Sequence, residues 1–135
     1  MATTQEAVKV GAIVPSLTVD DLQKSITFYE ALGFAIDERW EEKGTLLGVM
    51  LRAGTVEIGL SQDDWKKGRD RNKGIGVRLS LSTSTPGSVD EIAKRAKNAG
   101  ITLKSDPHDT EWKSRAFEVS DPSGFLLTIF SETSA

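Results

Sequence analysis

Val14-Pro15-Ser16-Leu17-Thr18-Val19-Asp20-Asp21-Leu22, continuing through Ser25, Phe28-Tyr29 and Leu32-Gly33-Phe34, is the stretch that decides the fold. Residues 9–19 form an extended apolar run, and Leu17-Thr18-Val19 shows the in-and-out alternation of a strand. Asp20 and Asp21 then supply a helix start. A carboxylate there accepts a hydrogen bond from an orphan N–H and sits at the positive end of the helix dipole. Leu22, Ile26 and Tyr29 follow at i, i+4 and i+7, which places them on one helical face. Gly33 stands where a left-handed C-terminal cap is wanted, and Phe34 opens the next extended run.

Working outward, three strands are expected at residues 34–41, 45–52 and 55–61, with Lys43-Gly44 and Ala53-Gly54 as hairpin turns. The same order is then written again. Residues 75–81 alternate as a strand, and Ser88 with Glu91 form a capping box. Val89, Ile92, Ala93 and Ala96 make the buried stripe, and Gly100 ends the helix. Strands follow at residues 101–104, 115–120 and 125–131, the last two joined by the turn Asp121-Pro122-Ser123-Gly124. The fold class expected is α+β: paired βαβββ modules, about 8–62 and 74–132 of a single domain over 1–135, forming curved mixed sheets. Each helix covers one face of its sheet, and the other faces line a cup. The polar ends, residues 1–7 and 133–135, are expected to fray.

Composition narrows the function. The 135 residues are 38% hydrophobic and 27% charged, ordinary for a soluble globular chain, with no apolar run long enough for a membrane span. The N-terminus lacks a basic segment followed by an apolar one, so no secretory signal is expected and a cytoplasmic home fits. With no cysteine there are no disulfides, thiol nucleophiles or thiolate metal sites. A net charge of −3 gives no basic face for nucleic acid. The densest basic run, residues 66–73, is broken by Asp70 and reads as a solvated loop, with a guard over a pocket mouth as the sharper reading.

The residues from Val14 to Phe34 resemble the opening of vicinal oxygen chelate proteins, the glyoxalase/bleomycin-resistance/dioxygenase superfamily. Asp121-Pro122-Ser123-Gly124 and the hydrophobic run after it resemble that superfamily's closing signature. Trp112-Lys113-Ser114-Arg115-Ala116-Phe117 resembles a Trp-Gly-x-Arg-x-Phe segment of bleomycin-resistance proteins, with Lys113 in place of the usual glycine. The resemblance covers about residues 8–132 and is closest to the metal-free, bleomycin-resistance-like members. It implies paired modules, often dimeric, with ligand sites inside the cups. Catalytic members bind a divalent metal through histidine or glutamate on the first, fourth, fifth and eighth strands.

That register lands here on Val14, Gly59, Gly76 and Thr128. Three offer no ligating side chain and a neutral hydroxyl is a poor ligand, so no metal and no cofactor are expected. The one histidine, His108, reads as a surface-loop residue in Asp106-Pro107-His108-Asp109. Ligand-binding candidates are Trp112, Trp40, Met50 and Phe130 for aromatic and apolar contact, and Arg78, Glu57 and Glu118 as pocket charges or cross-strand pairs. The acid-rich run at residues 37–42 reads as a charged exposed hairpin, with a surface for a cationic aromatic ligand as the sharper reading. No catalytic residue is singled out. The expected function is metal-independent sequestration of a small, partly aromatic ligand by a homodimer, with antibiotic resistance of the bleomycin type as its use. The alternatives are a divergent lyase, isomerase or dioxygenase, and a regulatory module with a vestigial cup.

Overall fold

Local chemistry sets both helices. In the computed structural model, which describes residues 7–133, Asp21 is extended and its Oδ1 accepts the Lys24 N–H at 3.1 Å. The helix α1 (Leu22–Leu32) follows the strand β1 (Ser16–Val19), and Gly33 closes it at φ 113°, donating to Glu30 O. Leu22, Ile26 and Tyr29 are buried as the spacing requires. The second helix, α2 (Pro86–Asn98), is capped by Thr85 instead of Ser88. Pro86 explains the difference. It has no N–H to satisfy and a φ already set for a helix, so it takes the first helical position and leaves Ser88 N–H to reach Thr85 Oγ1 at 3.2 Å. The expected capping box is therefore replaced by a threonine cap.

The strands β2 (Ala35–Glu42), β3 (Thr45–Ala53) and β4 (Val56–Gln62) complete one sheet in the order β1-β4-β3-β2. The strands β5 (Arg78–Ser82), β6 (Ser105–Asp109), β7 (Ser114–Ser120) and β8 (Leu126–Glu132) form the other, in the order β5-β8-β7-β6. In each sheet the first strand lies parallel beside the fourth and the rest are antiparallel. Lys43 and Gly44 both have positive φ, 50° and 79°, the backbone of a tight two-residue hairpin.

Three strands differ from expectation. The pairing of β1 starts only at Ser16, after Pro15, and residues 7–14 lie exposed outside any strand. β5 starts at Arg78 because Gly74 and Gly76, at φ 82° and 77°, turn the chain, with Val77 N–H donating to Gly74 O. β6 is not residues 101–104. Ile101 N–H is still tied to Ala96 O by the helix-ending turn, and pairing begins at Ser105. Pro107, without an N–H, coincides with the register shift between Ser105 and His108. The expected fraying falls largely on residues 1–6 and 134–135, outside the described part of the chain.

One face of each sheet packs on a helix: α1 on β3 and β4, α2 on β6, β7 and β8, and the two helices on each other. Val49, Leu51, Ile58, Leu60, Phe117, Val119, Leu127 and Ile129 are the buried strand rows. The modules are fastened by Tyr29, whose hydroxyl donates to buried Asp121 Oδ2 at 2.9 Å. Burial, and then the Asp121 charge, push the Tyr29 pKa far up, so this phenol stays protonated. An ionic fastening ties the connecting segment to the first module. Lys73 Nζ, with its side chain only 4% exposed, bonds Asp63 at 2.8 Å and also Asp20, and lies 4.7 Å from the Trp65 ring centre. Its burial alone would lower the ammonium pKa, but the bonds to Asp20 and Asp63 outweigh that and raise it. The basic segment is thus only partly a solvated loop. No helix among the described residues is long and apolar enough to cross a membrane.

Candidate functional site

The faces turned away from the helices are open, and strand register states what each presents. On the second sheet, Ser80, Thr128 and Glu118 form one cross-strand row, and Ser82, Phe130, Ala116 and His108 the next. Above them is an open concavity of about 550 Å³, bordered by Arg78, His108, Trp112, Glu118, Thr128 and Phe130. Four of the sequence candidates, Trp112, Phe130, Arg78 and Glu118, are therefore brought together.

Trp112 sits in the β6–β7 turn and is 78% exposed, its indole standing free at the edge of the concavity. Lys113 beside it has φ 57°, which explains why a glycine is the usual residue there. Arg78 Nη2 stands 3.3 Å from Glu118 Oε2 as an ion pair that reaches over β8, and both residues border the concavity. Thr128 Oγ1 is buried without a hydrogen-bond partner. The hydroxyl has almost no accessible surface, so it lies beneath the floor of the hollow and its missing bond is a local cost there.

His108 corrects the sequence reading. It belongs to β6, pairs with Ala116 and borders the concavity, with Nδ1 2.8 Å from Asp106 O. The segment carrying it is polar, proline-interrupted and without alternation, so nothing in the sequence marks it as a strand.

The remaining candidates, Trp40, Met50 and Glu57, lie on the first sheet. Trp40 is 46% exposed and pairs with Gly48. A Cβ added at Gly48 would stand 3.2 Å from Trp40 Cε3 and 2.8 Å from Leu60 O, so the glycine is what lets the indole lie across the strand. Met50 adjoins Gly59, and Gly59 adjoins Ser16. Glu57 bonds Arg52 at 3.0 Å, and Arg52 also reaches Asp37 at 3.2 Å. The hydrogen bond that Arg52 donates to Asp37, then the charges of Glu57 and Asp37, raise the Arg52 pKa. Part of the acid-rich hairpin is thus already neutralised. The expected single cup is not closed within one chain: the hollow over the second sheet is bordered by second-module residues alone.

The register also tests the metal positions. Ser16 pairs with Gly59, and Ser80 pairs with Thr128. Gly59 and Thr128 are equivalent, since Met50 and Glu118 flank them in the same way. Val14, two residues before Ser16, then corresponds to Arg78, two residues before Ser80. The fifth-strand position is Arg78 instead of the expected Gly76. Valine, glycine, arginine and threonine do not fit a divalent metal, and a guanidinium there actively repels one. Among the described residues no group of three His, Cys, Asp or Glu side chains is arranged to hold a metal ion.

Two βαβββ modules with open sheet faces define a class, and the sequence agrees. The chain belongs to the Glyoxalase/Bleomycin resistance protein/Dioxygenase superfamily, whose family model matches residues 9–129. Solved structures share the fold. Hypothetical protein SA1046 from S. aureus is 22% identical, with 92% of this chain and 95% of that one covered and a TM-score of 0.71. TioX from Micromonospora sp. ML1 is 20% identical, with 91% and 99% covered and a TM-score of 0.72. A lactoylglutathione lyase from Agrobacterium tumefaciens is 19% identical, with 91% and 94% covered and a TM-score of 0.67. No curated protein matches the sequence.

Proposed function

We propose that the chain is a metal-independent binding protein for a small, partly aromatic molecule, and that a second copy of the chain completes the cup. Its use is sequestration of a toxic natural product, as in resistance of the bleomycin type. The observation that carries the reading is the arginine at the fifth-strand position, tied to Glu118 where a metal ligand would stand. Support for the second copy comes from surfaces that one chain leaves bare. Trp40 and Trp112 are exposed on the two open faces, and Val8, Val10, Ile13 and Ile75 are exposed in the segments before β1 and β5.

Sedimentation of the full chain at micromolar concentration is expected to give a dimer, and a monomer would remove that element. Titration with zinc, nickel, manganese and iron is expected to leave no stoichiometric metal and to create no activity. Retained metal with turnover would reject the reading. One observation favours catalysis instead, the His108 imidazole on the concavity with Nε2 unbonded among the described residues. Assay of the methylglyoxal–glutathione adduct, catechols and fosfomycin separates the two, since a binder turns over none.

A further inference from the structure

Arg78 has more hydrogen-bonding capacity than the structure uses. A guanidinium carries five N–H donors in a planar fork, and Arg78 only pairs ionically with Glu118 Oε2 at 3.3 Å while its side chain stays 56% exposed. Its place in the fold is equally informative. Arg78 borders both the concavity carrying Trp112 and Phe130 and a neighbouring one of about 380 Å³ carrying Lys104 and the turn from Gly74 to Val77. Nothing stands within 4 Å of where a Cβ at Gly76 would be, so that side of the turn is open. Lys104 is in no ion pair among the described residues, so Arg78 and Lys104 together exceed the single charge of Glu118. An exposed guanidinium fork and a nearby ammonium point to one demand, an oxyanion.

Resting on the binding reading above, we propose that Arg78 takes over the electrostatic role of the family's metal and anchors an oxyanionic group of the ligand. The remaining N–H donors of its fork carry the contact, with the Lys104 ammonium on the adjoining hollow adding charge. The aromatic part of the ligand then extends toward Trp112 and Phe130, and the ligand class is an aromatic carboxylate or phosphate. Glu118 is a positioning residue that holds the guanidinium toward the hollow.

Tryptophan quenching and calorimetry with 2-naphthoate, 2-naphthyl phosphate, 2-naphthylmethanol and 2-naphthylmethylammonium test this on the full chain. One or both anions are expected to bind about ten- to a hundredfold more tightly than the alcohol, the range for a hydrogen-bonded charge, with the ammonium weakest. Which anion binds more tightly separates a carboxylate ligand from a phosphate one. Arg78→Met is expected to erase the preference, Arg78→Lys to keep part of it, and Lys104→Met to weaken the anions more than the alcohol. Circular dichroism checks that each variant is folded. Equal binding of alcohol and anion by the wild type, a preference for the ammonium, or an Arg78→Met variant that still prefers the anion would overturn the assignment while leaving the binding cup intact. Binding of none of the four probes would count against the cup itself and the assignment with it.

Discussion

Replacing Tyr29 by phenylalanine tests how the modules are held together. The hydroxyl donates to Asp121 Oδ2 at 2.9 Å across 92 positions of sequence, and both side chains are buried. Phenylalanine keeps the ring and its edge-to-face contacts with Phe28 and Phe34, at 5.0 and 5.8 Å, so the packing term cancels. What changes is the carboxylate. Its Oδ1 still accepts from the Ser123 and Phe125 N–H groups, but Oδ2 is left in a dry site with nothing to replace the phenol. Loss of a hydrogen bond to a charged, buried acceptor costs about 2–3 kcal/mol. For a chain of this size that corresponds to a fall in Tm of roughly 6–12 °C. Urea denaturation followed by tryptophan fluorescence and by circular dichroism measures it. The cost should shrink when the same change is made in an Asp121→Asn background. A loss under about 0.5 kcal/mol, or one undiminished in that background, would refute the argument.

The remaining predictions concern single positions. Lys113→Gly removes a left-handed lysine at φ 57° and should stabilise the chain by about 1 kcal/mol, read as a higher urea midpoint. Gly74→Ala should destabilise by at least about 2 kcal/mol, because its Cβ would stand 2.4 Å from Gly124 O in a backbone at φ 82°; unchanged thermal unfolding would contradict the close approach. Asp63 titrates below its ordinary 3.8, chiefly through the Lys73 hydrogen bond and then the Trp65 N–H. A depressed carboxylate stabilises above its unfolded pKa and loses that contribution as pH falls. The stability gap between wild type and Asp63→Asn should therefore be full above about pH 4 and close below it. A gap independent of pH down to 3 would exclude this.

Elements with strong local grammar were legible from the residues alone. Asp21, Leu22, Ile26, Tyr29 and Gly33 each combine a position with one dominant physical role, and the structure gives them those roles. The Lys43-Gly44 turn is of the same kind. The differences arise where two signals compete. At α2 a proline one residue after Thr85 outranks Ser88 and Glu91 as the helix start. At β6 the apolar pair Ile101 and Leu103 looks like a strand but packs on the core as irregular chain, and polar Ser105–Asp109 takes the pairing. The candidate site was half legible. Parity alone put Phe130 and Glu118 on the open face, but which fifth-strand residue stands opposite Val14 requires the Ser80–Thr128 register. His108 was hidden by its strand's polarity. The bond between Lys73 and Asp63 joins loop residues that no periodicity relates.

Every strand pairing among the described residues joins residues of the same half of the chain. The contacts that must form over the longest loops, such as Tyr29 to Asp121, are few and lie between halves already built. Sequence separation in the sheets is thereby bounded by the length of one half, and each half can condense around its own helix first. Joining of the halves becomes the late step of folding. Tyr29→Phe should then speed unfolding while leaving the folding rate nearly untouched.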